Sequence, residues 1–299
     1  MGIVAITSPG SSPGATSLCV GLAMAWSSWD LDPLLIEADP GGGVIGHRFG
    51  ASGSQAQRDL LTFAVDTRRV FRGEAMAKNL NEIAGFEALL APVDSVRAHQ
   101  AITQAAPVIS EHLAPSPRPI VVDLGRLDHD SPTLRLAAAA DVAYVVLEPK
   151  ADQVQRALFQ LAALRSQGLR PELVFVGEKP FAPAEVAHVA DAPIAAVLPF
   201  SPRASAALAG GKYKRRSFNR SPLWRSISAL ARPLASELIR SGTAAPLAPP
   251  EVETEAPSPP EVETEAPNDD ETESTQESHD DDLILKVWVL GEEGAHADD

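Results

Sequence analysis

The stretch Ile3-Val4-Ala5-Ile6-Thr7-Ser8-Pro9-Gly10-Ser11-Ser12-Pro13-Gly14-Ala15-Thr16-Ser17 decides how this chain is read. Four β-prone residues run into a turn of small residues, and Leu18 to Trp26 continue with helical periodicity. A strand, a glycine-bearing turn and a helix in that order form the setting in which a phosphate-binding loop of spacing G-x-x-x-x-G-K-S/T acquires meaning. Gly14 and Thr16 keep the second glycine and the hydroxyl of that pattern, while Ala15 puts a methyl group where the lysine stands. Backbone N–H groups of residues 10–17 and the start of a helix still suit an anion, and Thr16 is placed for Mg²⁺. The alternative is a turn kept for folding with nothing bound.

Working outward, apolar strand-length runs recur at 2–7, 33–37, 87–91, 119–124, 142–147, 172–176 and 194–198, separated by helical stretches such as 151–167 and 221–240. Runs such as Val142-Ala143-Tyr144-Val145-Val146-Leu147 have no polar alternation, as expected of strands buried on both faces. The expected fold is therefore α/β, a mainly parallel twisted sheet flanked by helices, with ligands beyond the C-terminal strand ends. Two of those ends carry acids: Glu37-Ala38-Asp39-Pro40-Gly41-Gly42-Gly43 and Asp123-Leu124-Gly125-Arg126. Asp39 and Asp123 are candidate Mg²⁺ carboxylates, although an Asp ending a strand also caps turns. Ser221 and Pro222 read as the N-cap and first residue of the late helix, and Pro233 is expected to kink or restart it.

These residues resemble the MinD/ParA group of deviant Walker A P-loop ATPases over roughly residues 1–240. The group's loop K-G-G-x-G-K-T lines up with Gly10-Ser11-Ser12-Pro13-Gly14-Ala15-Thr16, so both lysines are absent. Its D-x-D-P segment appears as Glu37-Ala38-Asp39-Pro40, with Asp39 at the place of the carboxylate that positions attacking water, and its Walker B aspartate matches Asp123. Leu198-Pro199-Phe200-Ser201-Pro202-Arg203 resembles a late segment near the adenine, with Ser201 where Asp is usual. The phrases Glu37–Gly43, Asp123–Arg126 and Arg216–Arg225 are similar to those of a MinD-like branch of high-GC bacteria whose loops also lack lysine.

The resemblance implies ATP and Mg²⁺ held by residues 10–17, Glu37 and Arg203, a homodimer, and a role in spatial positioning or scaffolding. Losing one transition-state donor costs on the order of 3–4 kcal/mol in phosphoryl transfer, so hydrolysis is expected to be lost or very slow. An active ATPase needs a substitute cation, for which Arg126, Lys150 and Arg203 are candidates; a nucleotide-free interaction module is the third reading.

Charge divides the chain. Residues 246–299 hold 18 Asp and Glu against the single Lys286, whereas 1–245 hold 22 acids and 24 bases. The expected organisation is a P-loop domain at 1–242, a disordered Pro/Glu-rich linker at 243–282, an apolar strand-like segment at 283–290 that is a candidate protein-binding element, and a disordered end at 291–299. The one basic cluster, Lys212, Lys214, Arg215, Arg216 and Arg220 with Arg225, is interleaved with Tyr213, Phe218 and Trp224, and is a candidate contact for DNA or an anionic membrane. Leu223, Ile227, Leu230, Leu234 and Leu238 read as a core-packing stripe. Lone Cys19 fits a reducing cytoplasm, the scattered histidines lack ligand spacing, and no export signal is visible, so any membrane contact is expected to be peripheral.

Overall fold

The computed structural model describes residues 2–10, 14–51, 58–113, 118–127 and 130–240. Ser11, Ser12 and Pro13 of the loop, and the segments 243–282, 283–290 and 291–299, lie outside the described residues.

Eight strands form one sheet: β1 Ile3–Thr7, β2 Leu34–Glu37, β3 Asn81–Ile83, β4 Phe86–Leu89, β5 Ile120–Asp123, β6 Val142–Leu147, β7 Glu172–Val176 and β8 Ile194–Leu198. Their order is β3-β4-β2-β5-β1-β6-β7-β8, and every pairing except β3 with β4 is parallel. The seven expected strands are all present. The eighth, β3, is the triplet Asn81-Glu82-Ile83, too short to show strand periodicity; it exists because Ala84 (φ 48°) and Gly85 (φ 89°) turn the chain back onto β4.

Alternate residues of β1 face opposite layers, Ile3 and Ala5 one way and Val4 and Ile6 the other. The first layer holds α3 Leu60–Asp66, α4 Arg72–Asn79, α5 Ser95–Leu113, α6 Leu134–Ala138, α7 Ala151–Ser166 and α8 Pro183–Ala190. The second holds α1 Ala15–Ser27, α2 Ile45–Arg48, α9 Pro202–Leu208, α10 Arg215–Phe218 and α11 Pro222–Arg240. Leu223, Ile227 and Leu230 of α11 are buried, and a Cβ on Gly21 of α1 would come within 2.9 Å of Ile227, so the two helices are in intimate contact. The stripe is core, as its spacing implied, with the side chain of Leu238 outside the described residues. Ser221 Oγ accepts from Trp224 N at 3.2 Å, the expected cap. The helix does not restart at Pro233: α11 runs through it to Arg240, anchored on its apolar face. No helix of the described residues is long and apolar enough to cross a membrane.

Candidate functional site

The site forms where β2, β5 and β1 end side by side. Parallel register sets Ile6 level with Asp123 and Asp123 level with Glu37, so the acids of two strands arrive together at the C-terminal edge. The loop after β1 is tied to the loop after β5: Thr7 Oγ1 and Ser8 N both donate to the Gly125 carbonyl, at 2.8 and 3.1 Å. Ala38 N donates to the Asp123 carbonyl at 2.8 Å, linking the third strand end. Gly125 has φ +60°, and a Cβ there would lie 2.2 Å from Asp39 Cγ, so the Asp39 carboxylate packs against a backbone that only glycine provides.

Gly14 caps α1 with φ +100° in the left-handed region and has open space where a side chain would be. Its carbonyl accepts from Leu18 N at 2.8 Å, the first turn of the helix. Ala15 is buried among the core of the α1 layer. Thr16 and Ser17 are half-buried.

Burial dominates the electrostatics. Asp123 is 1% exposed and its carboxyl is pushed up to about 6; the Thr16 hydroxyl and Gly125 N–H draw it back, Asp39 pushes it further, and Arg48 lowers it. Asp123 Oδ1 accepts from Gly125 N at 3.1 Å, whereas Oδ2 has no hydrogen-bond partner among the described residues. Burial also raises Asp39, against the Gly41 N–H and Arg126. Glu37 is pushed up to about 7 by burial, against backbone N–H groups that stabilise its charge. Its Oε1 accepts from Val44 N (2.6 Å) and Ile45 N (2.8 Å), and its Oε2 from Ala91 N (3.2 Å). Both oxygens of Glu37 thus accept backbone hydrogen bonds, Oε1 from the turn after β2 and Oε2 from the segment after β4.

An orphaned buried carboxylate oxygen beside a hydroxyl fits Mg²⁺, a cation that takes one or two protein carboxylates and completes its shell with water and phosphate. Among the described residues no group of three or more His, Cys, Asp or Glu could hold a metal without such help. Thr16 and Asp123, with Asp39 beside them, are the residues that could hold such a cation together with a phosphate-bearing ligand.

The three candidate substitute cations diverge. Lys150 is ion-paired with Glu148, Arg126 is exposed within electrostatic reach of Asp39, and Arg203 is exposed at the first turn of α9. Two arginines that sequence reasoning passed over also reach the site. Arg48 of α2 acts on Asp123, and Nη1 of Arg156, on α7, lies 3.4 Å from where a Cβ on Gly10 would stand. Arg48 had a signal, since it follows the glycine turn after Asp39; Arg156 had none, as a mid-helix arginine reads as solvated surface.

Along the same sheet edge, the ends of β6, β7 and β8 line an open cleft of about 790 Å³ that includes Lys150, Lys179, Leu198, Pro199, Phe200 and Ser226. Phe200 is 75% exposed there. Separately, Lys212, Lys214, Arg215, Arg216, Arg220 and Arg225 are all exposed and make no ion pair among the described residues. They stand around a ladder of rings, with Tyr213 to Phe218 at 5.1 Å and Phe218 to Trp224 at 5.0 Å.

No protein-family model matches the sequence, and no curated protein matches it significantly. Solved structures do match. A ParA family ATPase from Chlorobium tepidum superposes with a TM-score of 0.64 at 18% identity, over 77% of this chain and 97% of that one. The septum site-determining protein MinD of Pyrococcus horikoshii with Mg-ADP gives 0.64 at 16%, over 81% and 98%. An ATP complex of McdA from Cyanothece gives 0.63 at 14%, over 79% and 96%. The chain has the ParA/MinD-like P-loop fold.

Proposed function

We propose that this chain, whose fold is that of the ParA/MinD ATPases, is a nucleotide-binding protein of spatial positioning or scaffolding in which hydrolysis is lost or very slow. The observation that supports this best is the asymmetry at the β1 end. Thr16, Asp39 and Asp123 are gathered beside the Gly14 turn, while Ala15 is buried in the core and brings no charge to the loop. ATP with Mg²⁺ is the first ligand to test, as the Mg-ADP and ATP complexes of the MinD and McdA neighbours suggest.

In this reading Mg²⁺ supplies the positive charge that phosphates need. Thr16 and Asp123 would hold it, with Asp39 at its margin. The N–H groups of the Gly10–Ser17 loop would face the phosphates, and the cleft at the ends of β6 to β8 would receive the base. Glu37 keeps the turn after β2 in place through Val44 and Ile45. Nothing in the loop neutralises charge that develops during phosphoryl transfer, which is why binding survives in this reading and turnover does not.

Two further parts of the proposal concern partners. A homodimer would face two such loops towards each other, as the matched position of Gly10 suggests. The basic cluster at 212–225 would take a polyanionic surface, DNA or an anionic membrane, its charges making no ion pair among the described residues.

Calorimetry with Mg-ATP, followed by an assay of phosphate release, tests the core of the proposal. Heat without release is the expected result. No heat would leave an interaction module, and sustained turnover would establish an active ATPase. Ala15→Lys restores the missing charge and is expected to tighten Mg-ATP binding about 10-fold, in line with one charge-assisted hydrogen bond; a melting curve checks that the core accepts it.

A further inference from the structure

We propose that Arg156 of α7 supplies the cation for a phosphate group held against Gly10 and Gly14, a charge delivered from a neighbouring helix in place of the lysines the loop lacks. The identity of the ligand rests on the nucleotide reading above; the assignment of the residue rests on geometry.

Gln153, Arg156 and Gln160 lie three and four residues apart and so share one face of α7. The two glutamines are buried and fixed. Gln153 Oε1 accepts from Glu148 N at 2.8 Å, and Gln160 Nε2 donates to the Ser8 carbonyl at 2.8 Å and to the Leu127 carbonyl at 3.3 Å. This face is therefore pinned to the end of β6 by one residue and to the phosphate loop by the other. Arg156 stands between them, exposed, with its guanidinium on the loop.

The guanidinium of Arg156 lies against the backbone of Gly10. A Cβ at that position would already sit 3.4 Å from Nη1, and a longer side chain would compete for the same space. Arg156 makes no ion pair among the described residues, unlike Lys150, whose charge is taken by Glu148. A guanidinium with no ion pair among the described residues, lying against the Gly10 backbone, offers paired N–H donors to the oxygens of a phosphate. The helix position, fixed by Gln160, sets where those donors point before any ligand arrives.

The test is titration calorimetry of the full chain, its Arg156→Ala variant and its Arg156→Lys variant with Mg-ATP, Mg-ADP and inorganic tripolyphosphate. Arg156→Ala is expected to weaken binding roughly 10- to 100-fold, the range for a charge-assisted contact, with Arg156→Lys falling between it and the parent. Melting curves should be unchanged because the side chain is exposed. If the parent binds nucleotide and Arg156→Ala binds equally well, the assignment is overturned while the nucleotide reading stands. If the parent binds no nucleotide, that reading fails and tripolyphosphate decides: binding lost with Arg156 upholds the assignment. Tripolyphosphate binding that is absent, or indifferent to Arg156, overturns it.

Discussion

The strand-end site and the basic surface at 212–225 dispose of charge in opposite ways. At the first, Glu37 and Asp123 are buried and level with each other, their charges opposed by backbone N–H groups and, at Asp123, by Arg48. At the second, six basic side chains are exposed with no ion pair among the described residues, and no Asp or Glu occurs anywhere from 192 to 236. The carboxylate side is bound into the fold, because Glu37 holds Val44, Ile45 and Ala91 and Asp39 packs on Gly125. The basic side contributes nothing comparable to packing. Carboxylates at the strand ends thus have a folding role that would keep them whatever happened to catalysis, while the solvated cations have no folding role to explain them.

That contrast breaks most readily at Gly43. A Cβ there would lie 2.2 Å from the Ala91 carbonyl oxygen and 2.7 Å from Glu37 Oε2, so Gly43→Ala is expected to cost about 3 kcal/mol or more, read by urea denaturation. A smaller effect is the pH dependence. Glu37 and Asp123 sit at about 7 and about 6 when folded, against ordinary values of 4.5 and 3.8. The folded state thus binds more protons than the unfolded one across that window. Their contribution to stability is full below the ordinary values and is lost as pH rises through the folded ones, on the order of 3 kcal/mol for each group. Thermal melts from pH 4.5 to 7.5 should show it, and Asp123→Asn should flatten the slope; a parent slope of opposite sign, or one untouched by the substitution, refutes the account. Smallest in stability is the basic side. Replacing Lys212, Lys214, Arg215 and Arg216 together with Ala should shift unfolding by less than about 0.5 kcal/mol. The same variant should bind duplex DNA or anionic vesicles about 100-fold more weakly, with a shallower salt dependence. Equal binding by parent and variant would remove the polyanion from the proposal.

Much of this frame was legible from residues alone. Buried parallel strands announce themselves as unbroken Val/Ile/Leu runs, and the acids that end them mark the functional edge, so β1, β2, β5 and the positions of Asp39 and Asp123 could be placed before any coordinates. What was illegible depended on contacts across the sequence. Strand β3 owes its existence to a turn through Ala84 and Gly85 rather than to its own residues. The backbone bonds that Glu37 accepts from Val44, Ile45 and Ala91 follow from the path of the chain and from no motif. Arg156 is separated from Gly10 by 146 residues, and its meaning comes from Gln160, a residue type that no motif selects.

Trp26 closes α1 with an indole wholly inside the protein, its Nε1 donating to the Ala231 carbonyl of α11 at 3.2 Å. The helix that begins at Gly14 is therefore joined at its far end to the helix that begins behind the basic cluster. That single bond turns the tryptophan into an optical reporter. In a variant with Trp29, Trp224 and Trp288 replaced by Phe, its fluorescence should be blue-shifted in the native protein and move to the red when α11 leaves α1, so loosening of the C-terminal helix can be followed by emission wavelength while the sheet is still intact.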